Sequence, residues 1–223
     1  MDVKYSQEYY QKHLAGTLAS ANTILNTLSS FYKPSSVLDL GCGTGGWLKV
    51  AKEIFHSSVL GVDQHNFWAA DMLISQDEYC IHNLEIPVHT KRKFDLAISV
   101  EVAEHIAEEF ANILVESLCN HSDVILFSAA LPMQGGTGHI NEQPCSYWAN
   151  IFDQYGYYAV DCIRPLIWDN EDVEVWYRNN TILFVSQEQR DKLVGKIPEA
   201  NYPLDIIHPQ MLERIVSRSK TNG

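Results

Sequence analysis

The sequence of 223 residues is short of positive charge: 16 Lys and Arg stand against 28 Asp and Glu, for a net charge of −12. Nucleic-acid affinity rests mainly on Lys and Arg against phosphate, so no nucleic-acid partner is expected. The short basic run Lys91-Arg92-Lys93 reads as a solvated turn. No Cys-x-x-Cys pair occurs among Cys42, Cys80, Cys119, Cys145 and Cys162. An odd number of widely spaced thiols excludes a disulfide framework and fits a cytoplasmic protein. The first ten residues are polar and lack a signal-peptide apolar stretch. A membrane span is missing too. The 18 uncharged residues 124–141 contain Pro132, Gln134, three glycines and His139, and read as a buried strand and a loop. Repeats and low-complexity linkers are absent. What remains, 46% hydrophobic and 20% charged, suits a soluble enzyme with one core and modest additions.

Apolar spacing predicts a helix over 17–30, followed by seven short apolar runs at 36–40, 57–62, 79–82, 94–100, 123–129, 157–163 and 181–185. Helical patterns lie between most of them, at about 45–55, 67–76, 103–119 and 143–155. Alternating strands and helices imply a parallel sheet with right-handed crossovers. Little helical pattern separates the last two runs, so these are expected to pair as an antiparallel hairpin. Residues 1–186 are read as one domain and 187–223 as a tail with a short helix near 209–219.

The densest signal is Val37-Leu38-Asp39-Leu40-Gly41-Cys42-Gly43-Thr44-Gly45-Gly46-Trp47-Leu48, an apolar strand running through a glycine turn into a helix. Gly41, Gly43 and Gly46 satisfy G-x-G-x-x-G, in which glycine permits positive φ and close ligand approach. Asp63 closes the next strand about twenty residues on, where a carboxylate can accept from ribose hydroxyls. A dehydrogenase shares both features, but no Tyr-x-x-x-Lys pair occurs in the chain.

Asp39 to Gly45 resembles the first motif of class I S-adenosylmethionine-dependent methyltransferases, and Phe94-Asp95-Leu96-Ala97-Ile98-Ser99 resembles their fourth-strand motif. The resemblance covers about residues 5–185. It implies an α/β, Rossmann-like three-layer sandwich with strand order 3-2-1-4-5-7-6 and strand 7 antiparallel. It also implies S-adenosylmethionine as cofactor, leaving S-adenosylhomocysteine. The residues so implied are Asp39, Gly41, Cys42, Gly43, Gly46 and Trp47 at the turn, Asp63 and Gln64 at the ribose, Asn83 and Leu84 at the adenine, and Ser99, Val100 and Glu101 after strand four. Asp39 would order the glycine loop from beneath, and Asn83 would meet adenine with an amide where the family often has Asp.

Two further groups of residues carry the chemistry. Glu101, Glu104 and His105 form E-x-x-E-H at a strand end, where open α/β sheets bind ligands. Their types would suit a metal, especially if His139 joined them, but the pattern is ordinary at helix starts and no metal ligand is assigned. The loop Gly135-Gly136-Thr137-Gly138-His139-Ile140-Asn141-Glu142-Gln143 and the later Trp176-Tyr177-Arg178-Asn179-Asn180 resemble a bacterial subgroup tied to glycan or secondary-metabolite pathways. His139 is the first choice of general base, His105 the second, with Glu142 beside them. The expected reaction is in-line O-methylation of a small, neutral or cationic molecule. A carboxylate or nitrogen acceptor, or a non-catalytic partner subunit, are the alternatives.

Overall fold

The computed structural model describes residues 7–65, 72–193, 195–197 and 203–221. The apolar runs form β1 Ser36–Leu40, β2 Ser58–Asp63, β3 Tyr79–Ile81, β4 Leu96–Val100, β5 Val124–Ser128, β6 Tyr157–Val160 and β7 Ile182–Ser186. They make one sheet in the order β3-β2-β1-β4-β5-β7-β6. Every neighbouring pair is parallel except β7, which runs antiparallel to both β5 and β6. The order, the hairpin and the α/β class are as expected.

β1, β4 and β5 are buried at every position, as strands covered on both faces must be. Their side chains alternate between two cores. Val37, Leu96, Ile98 and Leu126 face one core, with Ile24, Leu25, Trp47 and Leu48 from α1 Gln7–Ser29 and α2 Gly46–Phe55. Leu38, Ala97, Ile125 and Phe127 face the other, with Leu114, Leu118, Trp148 and Phe152 from α3 Ala111–His121 and α4 Cys145–Gln154. Each such aliphatic side chain stabilises the fold by roughly 1.5–3 kcal/mol on burial.

Three helical expectations change. Residues 67–71 lie outside the described residues; 72–75 are not helical, and a single 3-10 turn, Gln76–Glu78, follows. The helix expected at 103–119 is broken into 3-10 turns at Ala103–His105 and Glu108–Phe110 before α3 begins, because Ile106 and Ala107 are extended. Two helices, α5 Arg164–Ile167 and α6 Val175–Asn180, sit between β6 and β7, too short to show a period in sequence. Arg164, fully buried, holds this link together. It forks onto Asp161 at 3.0 and 2.6 Å and donates to the carbonyls of Asn179 and Leu204.

The tail forms α7 Gln187–Leu193 and α8 Pro209–Thr221. Met211 and Ile215 of α8 are buried against Leu131 and Val175. Among the described residues, no helix is long and apolar enough to cross a membrane.

Asp95 staples the starts of β1 and β4. Its Oδ2 accepts from the backbone N–H groups of Ser35 and Ser36 at 2.8 and 3.1 Å and from the Ser35 hydroxyl. Asp95→Ala leaves these donors to water and is expected to cost about 1–2 kcal/mol. A urea midpoint that falls at constant m-value checks this; an unchanged midpoint overturns the staple.

Candidate active site

The chain turns from β1 into α2 through Gly41, Gly43 and Gly45, at φ 90°, 53° and 86°. A Cβ on Gly41 would stand 2.4 Å from Val102 Cγ2, so both the turn and its close packing require glycine there. The N–H groups of Gly41 and Cys42 donate to the Val62 carbonyl, and that of Gly43 donates to Asp63 Oδ2 at 2.9 Å. Asp63 therefore ties the turn to the end of β2. Its Oδ1 accepts from the backbone N–H of His65 at 3.0 Å and faces His65 Nδ1 at 2.9 Å. A carboxylate offers about four acceptor positions, so room for a further donor remains.

Asp39 lies beneath the turn, 2% exposed, with Oδ2 lacking any hydrogen-bond partner. Asp63 accepts the hydrogen bond from the turn at Gly43. Burial, reinforced by the Asp63 charge, pushes the Asp39 carboxyl well above the usual carboxylate range.

At the end of β4, Glu101 takes the left-handed conformation, φ 55°. Its N–H donates to the Ser128 carbonyl, and its carboxylate accepts from the Ser128 hydroxyl, Asn180 Nδ2 and Gln134 Nε2 at 2.8, 3.1 and 2.9 Å. The next turn presents Glu104 and His105. The carbonyl of Glu104 accepts from the N–H groups of Ile140 and Asn141, which docks the glycine-rich loop onto that turn. Glu142 shapes the loop from behind, accepting from the N–H groups of Met133 and Gly135 and lying 2.8 Å from His139 Nδ1. The His139 ring rests against Gly136, where a Cβ would come within 2.1 Å of Nε2. The rings of His105 and His139 meet edge to face, with centroids 4.9 Å apart. Burial lowers the His105 pKa to about 4, against the opposing pull of its Gly138 carbonyl contact, so this imidazole is neutral near pH 7.

These parts surround one cavity of about 570 Å³, within the ~300–1,000 Å³ usual for small-molecule sites. The glycine turn and Trp47, Asp63 and Gln64, Leu84, Val100 and Glu101, and both His105 and His139 line it. Four expected residues do not. Asn83 Oδ1 accepts from the Glu85 N–H and serves the turn after β3. Ser99 is fully buried and donates to the Leu40 carbonyl. Asp39 stays beneath the floor, and Glu142 acts through His139. Trp176 and Tyr177 are wall residues as well. His13 and Thr17 of α1, and Met211, Arg214 and Arg218 of α8, were not foreseen. The signal for α8 was present: Met211 and Ile215, and Arg214 and Arg218, are each four residues apart on a helix. Arg218 also donates to the carbonyls of Gln134 and Gly135, binding the tail to the loop.

A family model described as "Methyltransferase domain" matches residues 10–161. The chain belongs to this methyltransferase family. It is an enzyme, and its methyl donor is S-adenosylmethionine. No curated protein matches it by sequence. Among solved structures it is similar in fold to DesVI of Streptomyces venezuelae, at 14% identity over 80% of this chain and 95% of that one, TM-score 0.57. The sugar N-methyltransferase KedS8 of a Streptoalloteichus species gives 12% identity over 82% and 93%, TM-score 0.56. The magnesium protoporphyrin IX methyltransferase of Synechocystis, solved with S-adenosylmethionine bound, gives 14% over 82% and 86%, TM-score 0.54.

Because Asp39 binds its proton more tightly in the folded methyltransferase than in the unfolded chain, it lowers stability as pH rises above its unfolded value of about 3.9. Asp39→Asn removes that slope. Relative to the unaltered protein, the cofactor-free variant is expected to gain in melting temperature from pH 5 to pH 8. A difference independent of pH overturns the burial of this acid as its cause.

Proposed function

We propose that this methyltransferase transfers the methyl group of S-adenosylmethionine to a hydroxyl of a small molecule, a sugar or a secondary metabolite. The observation that carries the reading is one cavity with two unlike ends. One is backbone-built, at the glycine turn and Asp63; the other is a carboxylate–imidazole cluster on the loop after β5. The residues fit the cofactor. Three of about four acceptor positions on Asp63 are taken, and the one left suits a ribose hydroxyl. Gln64 and Leu84 extend that wall. The sugar N-methyltransferase among the structural neighbours supports a sugar-sized acceptor.

Bound S-adenosylmethionine supplies a methyl group on a sulfonium, displaced in line by the acceptor oxygen. The chain's part is to hold the acceptor on that line, a form of catalysis worth up to about 7–11 kcal/mol. Trp176 and Tyr177 wall the acceptor, and Arg218 holds the loop that carries His139. Through Nε2, His139 is the group placed to take the hydroxyl proton, with Glu142 fixing its ring. His105 stands second. The overall charge suggested a neutral or cationic acceptor. Arg214 and Arg218 also line the cavity, and an acidic group on the acceptor would suit them.

Asp63→Ala is expected to weaken S-adenosylhomocysteine binding by about 1–3 kcal/mol, roughly 5- to 150-fold, in a calorimetric titration. Unchanged affinity in a folded variant overturns the ribose assignment. With an acceptor that the unaltered enzyme turns over, His139→Ala should lower kcat by about 10²- to 10⁴-fold at nearly constant cofactor affinity. Lost cofactor affinity with turnover intact would instead place His139 in cofactor binding.

A further inference from the structure

We infer that Glu104, His105 and His139 bind one divalent transition-metal cation at the acceptor end of the cavity. One ligand atom from each lies within 4.8 Å of the others, and His139 Nε2 is 3.9 Å from Glu104 Oε1. Around a shared ion with bonds of ~2.0–2.2 Å, ligand atoms stand roughly 3–3.5 Å apart, so small side-chain rotations close the set.

Glu104 supplies the independent observation. Its side chain is fully buried, lines the cavity, and has neither oxygen in a well-formed hydrogen bond. Burial and the Glu101 charge push this carboxyl well above the usual carboxylate range, against weaker backbone hydrogen bonding from Glu104 and Ala130. A buried carboxylate in that condition costs several kcal/mol unless something pairs with it. The neighbouring Glu101 has no such need, since three side-chain donors occupy its oxygens.

Both imidazoles are set as metal-ligating histidines usually are. His139 Nδ1 faces the Glu142 carboxylate at 2.8 Å, and His105 Nδ1 faces the Gly138 carbonyl at 3.3 Å. Each partner is an acceptor, so each Nδ1 carries the proton and each Nε2 the lone pair. The two segments are locked together by the hydrogen bonds from Ile140 and Asn141 to the Glu104 carbonyl.

Two nitrogens and one carboxylate favour Zn²⁺, Mn²⁺ or Fe²⁺ over Ca²⁺ and Mg²⁺, which prefer all-oxygen shells. Three protein ligands at a cavity wall leave coordination positions open for an acceptor hydroxyl. This rests on the proposed acceptor end and changes one part of it. With the cation bound, His139 gives its lone pair to the ion and the ion acidifies the hydroxyl. The proton leaves to water, the oxygen pair forms the bond to the methyl carbon, and the carbon–sulfur pair stays on sulfur. It departs from the sequence expectation of no metal ligand.

The test is a Mn²⁺ titration of the chelator-stripped, full-length chain, following free aqueous Mn²⁺ by electron paramagnetic resonance, with Zn²⁺ as competitor. The expected result is one saturable site that Zn²⁺ displaces and whose affinity falls at least tenfold in Glu104→Gln and in the partly exposed His105→Ala. No saturable binding to the unaltered chain, or binding kept in either folded variant, overturns the site. A parallel calorimetric titration with S-adenosylhomocysteine, with and without chelator, separates the readings. Cofactor binding without metal binding removes the cation alone and returns His139 to the base role. Metal binding without cofactor binding removes the proposed cofactor end.

Discussion

Glu101 is the point on which the second half of the molecule hangs. Its left-handed backbone, of a kind that costs on the order of 1–3 kcal/mol, turns the chain sharply off the end of β4. That turn lays Ala103–His105 across the strand ends as a 3-10 turn. The strain is offset by donors from three elements: Ser128 at the end of β5, Gln134 in the glycine-rich loop and Asn180 at the end of α6. Gln134 and Asn180 also bond to each other. One buried carboxylate thus fixes where the loop, the last short helix and the E-x-x-E-H turn stand relative to the sheet.

The two ends of the cavity are made by different means. At the cofactor end the geometry is a backbone property. Positive φ at three glycines and the N–H of Gly43 on Asp63 follow from residue types within a few positions of one another. At the other end it is a property of side chains brought from residues 101–105, 134–142, 176–180 and 211–218. Glu142 shows the difference. It was read as a possible partner in the chemistry, yet its oxygens are spent on two loop N–H groups and on His139 Nδ1.

This division explains how far the sequence could be read. The seven strands were legible because buried parallel strands are continuous apolar runs, and the β6–β7 hairpin because no crossover helix of normal length separates them. Gly41, Gly43 and Asp63 were legible because their spacing encodes a turn and a carboxylate at adjacent strand ends. Asp39 lies beneath the turn, as its place in the motif implies, and Asn83, expected at the adenine, does not line the cavity. Asp39 is held under the sheet's end, and Asn83 is used by its own turn. That His13, Arg214 and Arg218 reach the cavity was not legible. They lie far from the motif in sequence, and only the packing of α1 and α8 over the strand ends brings them to the cavity.

Net charge is a weak guide to the acceptor for a related reason. A sum of −12 says little about a cavity, where the nearest groups dominate and charges beyond a Debye length of about 8 Å are screened. Part of that sum points inward. Asp63, Glu101 and Glu104 line the cavity with Asp39 buried beneath the turn, and Arg214 and Arg218 line it from α8. Burial raises the Asp39 and Glu104 carboxyls well above the usual carboxylate range, so their charged forms are disfavoured there. Trp176, Tyr177, Met211, Arg214 and Arg218 lie outside the span 10–161 that the family model matches. On the proposed reading, selection among acceptors falls to these side chains of α6 and α8, and the strand ends keep the chemistry.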